Sequence, residues 1–314
     1  MENMKAVRVH KYGGPEVLRF EDVPRPTPGS GELLVKVHAA SVNPIDWKIR
    51  AGYMKDYIPL PLPFIPGWDV SGVVEAVGPG VTKFKKGDEV YARSDLAAHG
   101  YGSYAEYVEV KETETALKPR AVDHVHAAAI PVAAVAAWRA LFDGAGLKKG
   151  QKVLIHGSAG GVGGFAVQLA KWKGAQVIGT ASSKNQGFVR ELGADETIDY
   201  EKTRFEDVVH DADVVLDTIG GDTQKRSWSV LKKGGILVSL VGPPSAEEAA
   251  KHGVRSAFLS AQGGTSVLTE LAKLVDSGKI RLIVEKVLPL SEARQAHELS
   301  ESGHARGKIV LKVA

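Results

Sequence analysis

The stretch from Lys152 to Gly163, Lys-Val-Leu-Ile-His-Gly-Ser-Ala-Gly-Gly-Val-Gly, constrains this chain more than any other. An apolar strand runs into a glycine turn, and a helix is predicted to follow from Gly164 to Lys173. Glycines lack the Cβ that would keep a backbone away from a pyrophosphate, and the unpaired N–H groups of a helix start supply donors and a partial positive charge. In the spacing G-x-G-x-x-G the register falls on Ser158, Gly160 and Gly163, so serine stands where the first glycine is usual. The surroundings restore the signal. A second apolar strand is predicted at 176–180, a helical stretch ends at Leu192-Gly193, and further short apolar runs lie at 196–199, 212–217 and 235–240. Strands alternating with helix-length segments predict an α/β unit with a parallel, doubly wound sheet, and with it a dinucleotide site. A tight turn in some other α/β domain is the plainer use of the same glycines.

The end of the second strand bears on which dinucleotide. A site for NAD usually carries Asp or Glu about 20 residues past the first glycine, where the carboxylate accepts from the ribose 2′-OH. No acidic residue occurs between Gly157 and Glu191, and the strand opens instead into Thr180-Ala-Ser182-Ser183-Lys184. Two hydroxyls and an ammonium suit a phosphate, which favours NADPH. The same serines also serve as helix N-caps.

A chain of 314 residues suits two domains. Its net charge of +3 comes from 40 basic and 37 acidic residues without a long basic block, so no footprint for nucleic acid is present. The longest nearly apolar run, 127–138, is short for a bilayer and contains Pro131, and Met-Glu-Asn-Met-Lys has no apolar signal core. A cytoplasmic protein is expected. The chain has no cysteine, which removes disulfides, thiolate metal sites and a cysteine nucleophile.

Residues 1 to about 120 have a different texture, with Pro and Gly between short strands at 5–10, 32–38, 70–77, 87–91 and 104–110. That pattern predicts a small antiparallel barrel or sandwich. Past Gly263 a helix, a strand near 280–288, a helix from Ser291 and a final strand at 307–313 are expected to return to it. The expected division is a catalytic domain over 1–123, a cofactor domain over 124–263 and the return over 264–314.

The motifs Tyr12-Gly-Gly-Pro-Glu-Val-Leu18, Ser41-Val-Asn43-Pro44-Ile-Asp46, Pro66-Gly67-Trp68-Asp69-Val-Ser-Gly72, Phe84-Lys-Lys-Gly87-Asp88, Glu191-Leu-Gly-Ala-Asp195 and Arg306-Gly-Lys-Ile-Val310 join the glycine turn in a whole-chain pattern. In these the chain resembles the medium-chain dehydrogenase/reductase superfamily, and within it the zinc-free quinone oxidoreductases. The resemblance implies a GroES-like barrel built from both chain ends, an inserted Rossmann domain, and a homodimer. It also implies where zinc-dependent members ligate metal, at the positions of Asn43, Trp68 and Asp69, and no ligand set survives there. His124 and His126 are the one close histidine pair, and they read as solvated or capping side chains.

For the site, the resemblance implies Asn43 facing the nicotinamide ribose or the substrate, Asp46 orienting its neighbours, and Tyr53 donating to a developing oxyanion. Asn43 is also a natural turn residue before proline, Asp46 a helix cap and Tyr53 a wall aromatic. The cofactor is assigned to Asn43, to Ser158, Ala159, Gly160, Gly161 and Val162 of the turn, to Ser182, Ser183 and Lys184, to Tyr200, to Val241 and Gly242, and to Leu259. Hydrophobic core is the competing use of Leu259 and Phe258. Three functions follow: hydride transfer from NADPH to quinones, the same transfer to the β-carbon of an α,β-unsaturated carbonyl, or nucleotide binding with little turnover in a structural role.

Overall fold

The computed structural model describes residues 2–260 and 263–314. The chain divides into two compact units: residues up to Val132 with Gly263–Ser277 and Leu282–Ala314 form the first, and the stretch from Ala133 with Gly278–Arg281 forms the second. The first unit therefore runs on to Val132 instead of stopping at 123. The reason is packing: Ala128 and Ala129, just past the short helix His124–Ala127, are buried with Ala39 and Val310 of the first unit's sheet.

That sheet has the order Val284–Pro289, Lys308–Lys312, Glu32–Val42, Asp69–Val77, Glu89–Arg93, Thr115–Leu117, with Tyr107–Lys111 also pairing with Glu32–Val42. A separate hairpin joins Asn3–Val9 to Leu18–Pro24. The long strand Glu32–Val42 organises the unit through its two-residue period. Leu33, Val35 and Val37 face a core with Val70, Val74, Val90, Val108 and Val110. Ala40 and Val42 face another, with Met4, Tyr104, Ile309 and Leu311. The final strand pairs antiparallel with this one, Ile309 opposite Val42 and Lys312 opposite Ala39. Both chain ends thus build one unit, as expected.

The second unit is a six-stranded sheet in the order Glu196–Asp199, Gln176–Ala181, Lys152–Ile155, Ala212–Asp217, Leu231–Ser239, Arg255–Phe258. Every pairing is parallel. Numbered along the chain this is 3-2-1-4-5-6, the doubly wound dinucleotide topology, whose ligands sit at the strand ends where the order reverses. Arg255–Phe258 is a strand that periodicity did not announce. The helix after the glycine turn is Gly161–Lys173, starting earlier than expected because Gly160 already takes the N-cap position. The carboxamide of Gln168 on that helix donates to the Arg281 carbonyl and accepts from the Arg281 N–H, which ties Gly278–Arg281 to this unit. Among the described residues no helix is long and apolar enough to cross a membrane.

Gly72 lies in Asp69–Val77 opposite Val37, where a Cβ would collide with the Lys36 carbonyl. Gly72→Ala is therefore expected to destabilise the first unit by about 1–3 kcal/mol, read as a lower midpoint in thermal or urea unfolding; an unchanged midpoint would show that the two strands can spread without cost.

Candidate functional site

In the second unit the first strand ends at Ile155, directly beside the point where strand order reverses. His156 is buried beneath the turn, its ring nitrogens against the Thr180 and Ser227 hydroxyls. Burial pushes it down to about 4, so it is neutral at physiological pH. The turn itself starts at Gly157, whose φ of 65° lies in the left-handed region that favours glycine. Gly163 is the second requirement: a Cβ there would strike the Gly157 carbonyl oxygen, so the helix could not approach the turn. Between them Gly160 caps the helix, and Gly157, Gly160, Gly161 and Val162 keep part of their surface open while Ala159 is buried. The result is a glycine-rich turn leading into a helix whose first N–H groups have no acceptor within the helix, and it fits a pyrophosphate.

Ser158 has a different place from the one its motif position implies. It is fully buried, its N–H donates to the Thr180 carbonyl, and its hydroxyl reaches the Ile155 and Thr180 carbonyls. Its side chain ties strand to strand, and the turn glycine is Gly157, one residue earlier.

Ser182, Ser183 and Lys184 stand at the end of Gln176–Ala181, where a doubly wound sheet receives the adenosine side of a dinucleotide. Ser182 is buried and accepts from the Asn185 carboxamide, whereas Ser183 and Lys184 are exposed. Two carboxylates meet Ser183: its hydroxyl donates to Asp199 and its N–H to Glu201, at 3.0 Å. Spacing from the glycines could not reveal them, because they arrive at the end of the third strand and just past it, where Asp199 pairs with Ala181. Tyr200 sits between them with 58 % of its surface exposed.

At the end of the fourth strand the buried Asp217 carboxylate accepts from the Ile219 and Gly220 N–H groups, the Gln224 amide and the Ser239 hydroxyl. It fixes the loops beside Val241 and Gly242, both at least partly open. Leu259 lies over Gly144, and its N–H bonds to the Ser239 carbonyl.

In the first unit Asn43 caps the helix Pro44–Arg50. Its side chain is pinned at both ends. Nδ2 donates to Asp69 at 2.8 Å, and Oδ1 accepts from the Lys308 ammonium at 2.5 Å. Asp69 also accepts from the Ser41 hydroxyl and the Val132 N–H. Asp46, the third helix residue, accepts from the Asn43 N–H at 2.8 Å and the Tyr104 hydroxyl at 3.0 Å, both on Oδ2. It is completely buried, its Oδ1 has no hydrogen-bond partner, and burial pushes its carboxyl up to about 7. Tyr53 is 71 % exposed, with its ring edge-on to Trp47. The structure thus brings Asn43, Asp46 and Asp69 together and leaves Tyr53 apart from them. Lys308, on the last strand, belongs to the Arg306–Val310 motif but was given no part in the site by the sequence.

These residues do not fit a zinc ion. Asn43 and Asp69 have their acceptors committed to Lys308, Ser41 and each other, and Trp68 offers no ligand. Among the described residues no group of three or more His, Asp or Glu side chains could hold a metal. His124 is not solvated as expected: it is stacked on His38 and bonded to the Ser71 hydroxyl and Glu89, and burial lowers it to about 4. His126 does join the helix cap, bonding to Asp123.

Residues 29–120 match the family described as alcohol dehydrogenase GroES-like domain, and residues 192–311 the family described as zinc-binding dehydrogenase. The chain is 38 % identical to the mitochondrial NAD(P)H oxidoreductase RTN4IP1 of Mus musculus, over 99 % of this chain and 89 % of the relative. It is 39 % identical to a chloroplastic NADPH-dependent alkenal/one oxidoreductase of Arabidopsis thaliana, over 99 % and 80 %. Among solved structures it superposes on the quinone oxidoreductase from Coxiella burnetii with a TM-score of 0.93 at 38 % identity, covering both chains completely.

Asp46 makes stability depend on pH. Its carboxyl rises from 3.8 to about 7 on folding, so between those values the folded state holds a proton that the unfolded chain releases. The stabilisation is full below the lower value and is lost as pH rises through the upper one. Measured by urea unfolding, stability relative to Asp46→Asn is expected to fall from about pH 5 to pH 7, with a slope of at most about 1.4 kcal/mol per unit; parallel curves for the two proteins would refute the assignment.

Proposed function

Because the chain belongs to the medium-chain dehydrogenase/reductase superfamily, among its quinone oxidoreductase-like proteins, we propose that it is a zinc-independent oxidoreductase that passes hydride from NADPH to a quinone. The observation that carries this reading is the glycine turn at the strand reversal, where the positive φ of Gly157 and the close approach of Gly163 to the Gly157 carbonyl bring a strand end onto a helix N-terminus, the arrangement that receives a pyrophosphate. NADPH, when bound, supplies the hydride and a nicotinamide whose electronics need no metal. Ala159, Gly160, Gly161 and Val162 hold the pyrophosphate, Ser182, Ser183, Lys184 and Tyr200 the 2′-phosphate, and Val241, Gly242 and Leu259 the nicotinamide end. Ser158 contributes through the shape of the turn.

Asn43 presents its carboxamide to the acceptor or the nicotinamide ribose, Asp46 holds the Asn43 backbone, and Tyr53 donates to the acceptor oxygen as charge arrives there. In a quinone that charge spreads onto oxygen, so a few fixed donors suffice. The name of the Arabidopsis relative supports a second reading, reduction of an alkenal or enone, in which the same donors meet a carbonyl oxygen. A nucleotide-binding structural role with little turnover is the third and weakest. The proposal has the protein work in the cytoplasm, and as a homodimer, which the resemblance implies.

NADPH and NADH oxidation measured against quinones, 2-alkenals and simple alcohols, with and without chelator, tests the proposal. Chelator-insensitive NADPH consumption with quinones is the expected result. Chelator-sensitive alcohol turnover overturns it, and silence on every acceptor despite tight NADPH binding favours the structural role.

Lys184→Ala is expected to weaken NADPH binding about tenfold by loss of a charge-assisted bond and to leave NADH little changed. Asp199→Asn should act in the opposite direction, since it removes the carboxylate that occupies the Ser183 hydroxyl. Dissociation constants from nucleotide fluorescence check both, and equal effects on the two nucleotides would move the 2′-phosphate elsewhere. Tyr53→Phe should lower kcat at saturating NADPH about tenfold, the worth of one hydrogen bond in the transition state; an unchanged rate removes Tyr53 from the mechanism.

A further inference from the structure

The buried charge beside Asn43 has no use in the chemistry described so far. Lys308 is 4 % exposed and Asp69 not at all. The ammonium contacts the Val42 carbonyl at 3.0 Å, Asn43 Oδ1 at 2.5 Å and Asp69 Oδ2 at 3.4 Å. Burying such a pair gains little stability over apolar side chains of the same size, because desolvation offsets the attraction. What the pair does specify is direction. A carboxamide between a cation and a carboxylate has one stable orientation, with oxygen toward Lys308 and nitrogen toward Asp69. Ser41 and the Val132 N–H hold the carboxylate itself in place, at 2.5 and 2.7 Å. One Nδ2 hydrogen of Asn43 has no partner among the described residues.

We propose that Lys308 is a positioning residue, whose ammonium, paired with Asp69, locks the Asn43 carboxamide so that its remaining N–H is a fixed donor to the bound acceptor or ribose. The lock rests on the proposed function only for what that N–H meets; the orientation stands on the contacts alone. A fixed donor costs no reorganisation when charge develops, whereas a carboxamide free to turn offers its oxygen as readily as its nitrogen. The residue that does the orienting comes from the far end of the chain, in the strand that closes the first unit's sheet.

The test is the double variant Lys308→Met/Asp69→Asn, which removes both charges together and so leaves no buried ion unpaired. Two readouts are taken on the whole protein. The first is the Asn43 side-chain NH2 signal in nitrogen-15 spectra, assigned by its disappearance in Asn43→Asp. In the parent it is expected to show two well-separated, slowly exchanging protons, and in the double variant to move and exchange faster. The second is the separation of kcat from NADPH affinity: kcat is expected to fall by about tenfold to a hundredfold while the NADPH dissociation constant holds. Adding Asn43→Ala to the double variant should then cost much less than it costs the parent. Lys308→Arg keeps the charge pair and hence the fold, but its planar fork cannot seat one ammonium between Val42 and Asn43; it should show the same split, smaller. An unmoved carboxamide signal with parental kcat in both variants overturns the proposal. If the parent itself oxidises no NADPH with any acceptor, the functional reading fails, and the carboxamide signal still decides the lock.

Discussion

The pairing of Lys308–Lys312 with Glu32–Val42 is the contact on which the first unit depends. It joins residues far apart in the chain and inserts Ile309 and Leu311 into the core that Ala40, Val42 and Tyr104 share. The closure entropy of so long a loop grows only slowly with its length, so an entire second unit can be inserted between these strands at small further cost. The same register delivers Lys308 beside Asn43, so that one strand pairing both seals the core and completes a polar cluster.

The second unit is governed by a steric constraint. A phosphate-binding turn must bring strand end and helix start close together, and only glycine allows that at Gly157, for its positive φ, and at Gly163, for its contact with the Gly157 carbonyl. Ser158 can replace glycine between them because its hydroxyl turns inward to the Ile155 and Thr180 carbonyls and stays out of the cradle. Even Gly179, on the next strand, belongs to this arrangement, since a Cβ there would lie 2.6 Å from the Ser158 hydroxyl. The weak-looking motif is thus a complete one whose first glycine is displaced by one position.

Much of this was readable from the chain because it is local. Alternating apolar residues over 32–38, the turn at 157–163 and the strand series behind it carry their periods in the sequence, and the structure places strands there. What was unreadable is set by register. Asp199 and Glu201 reach Ser183 because the third strand pairs in parallel with the second, and nothing in the spacing from Gly157 encodes that offset. Lys308 lies 265 positions from the carboxamide it holds and looks like any lysine near a strand end. Asp217 likewise reads as the polar end of an apolar run until the loop amides close on it. Arg255–Phe258 escaped because a short edge strand with half its residues exposed has no clear apolar period. The boundary at 123 failed for a related reason: Ala128 and Ala129 suit either unit, and only their packing with Ala39 and Val310 assigns them.

The polar cluster also explains how positions expected to carry a metal in zinc-dependent members serve a chain without the ligands. A metal ion would need deprotonated, uncommitted ligand atoms, whereas the Asn43 oxygen accepts from Lys308 and the Asp69 oxygens from Ser41, the Asn43 amide and the Val132 N–H. A cationic centre persists at these residues, but it is covalently part of the chain and cannot activate an alcohol by binding its oxygen. What it can do is polarise and orient a neutral amide. An acceptor that already delocalises the incoming charge, as in the proposed function, asks for no more than that, and the task proposed for this cation is to aim the amide and not to bind the substrate.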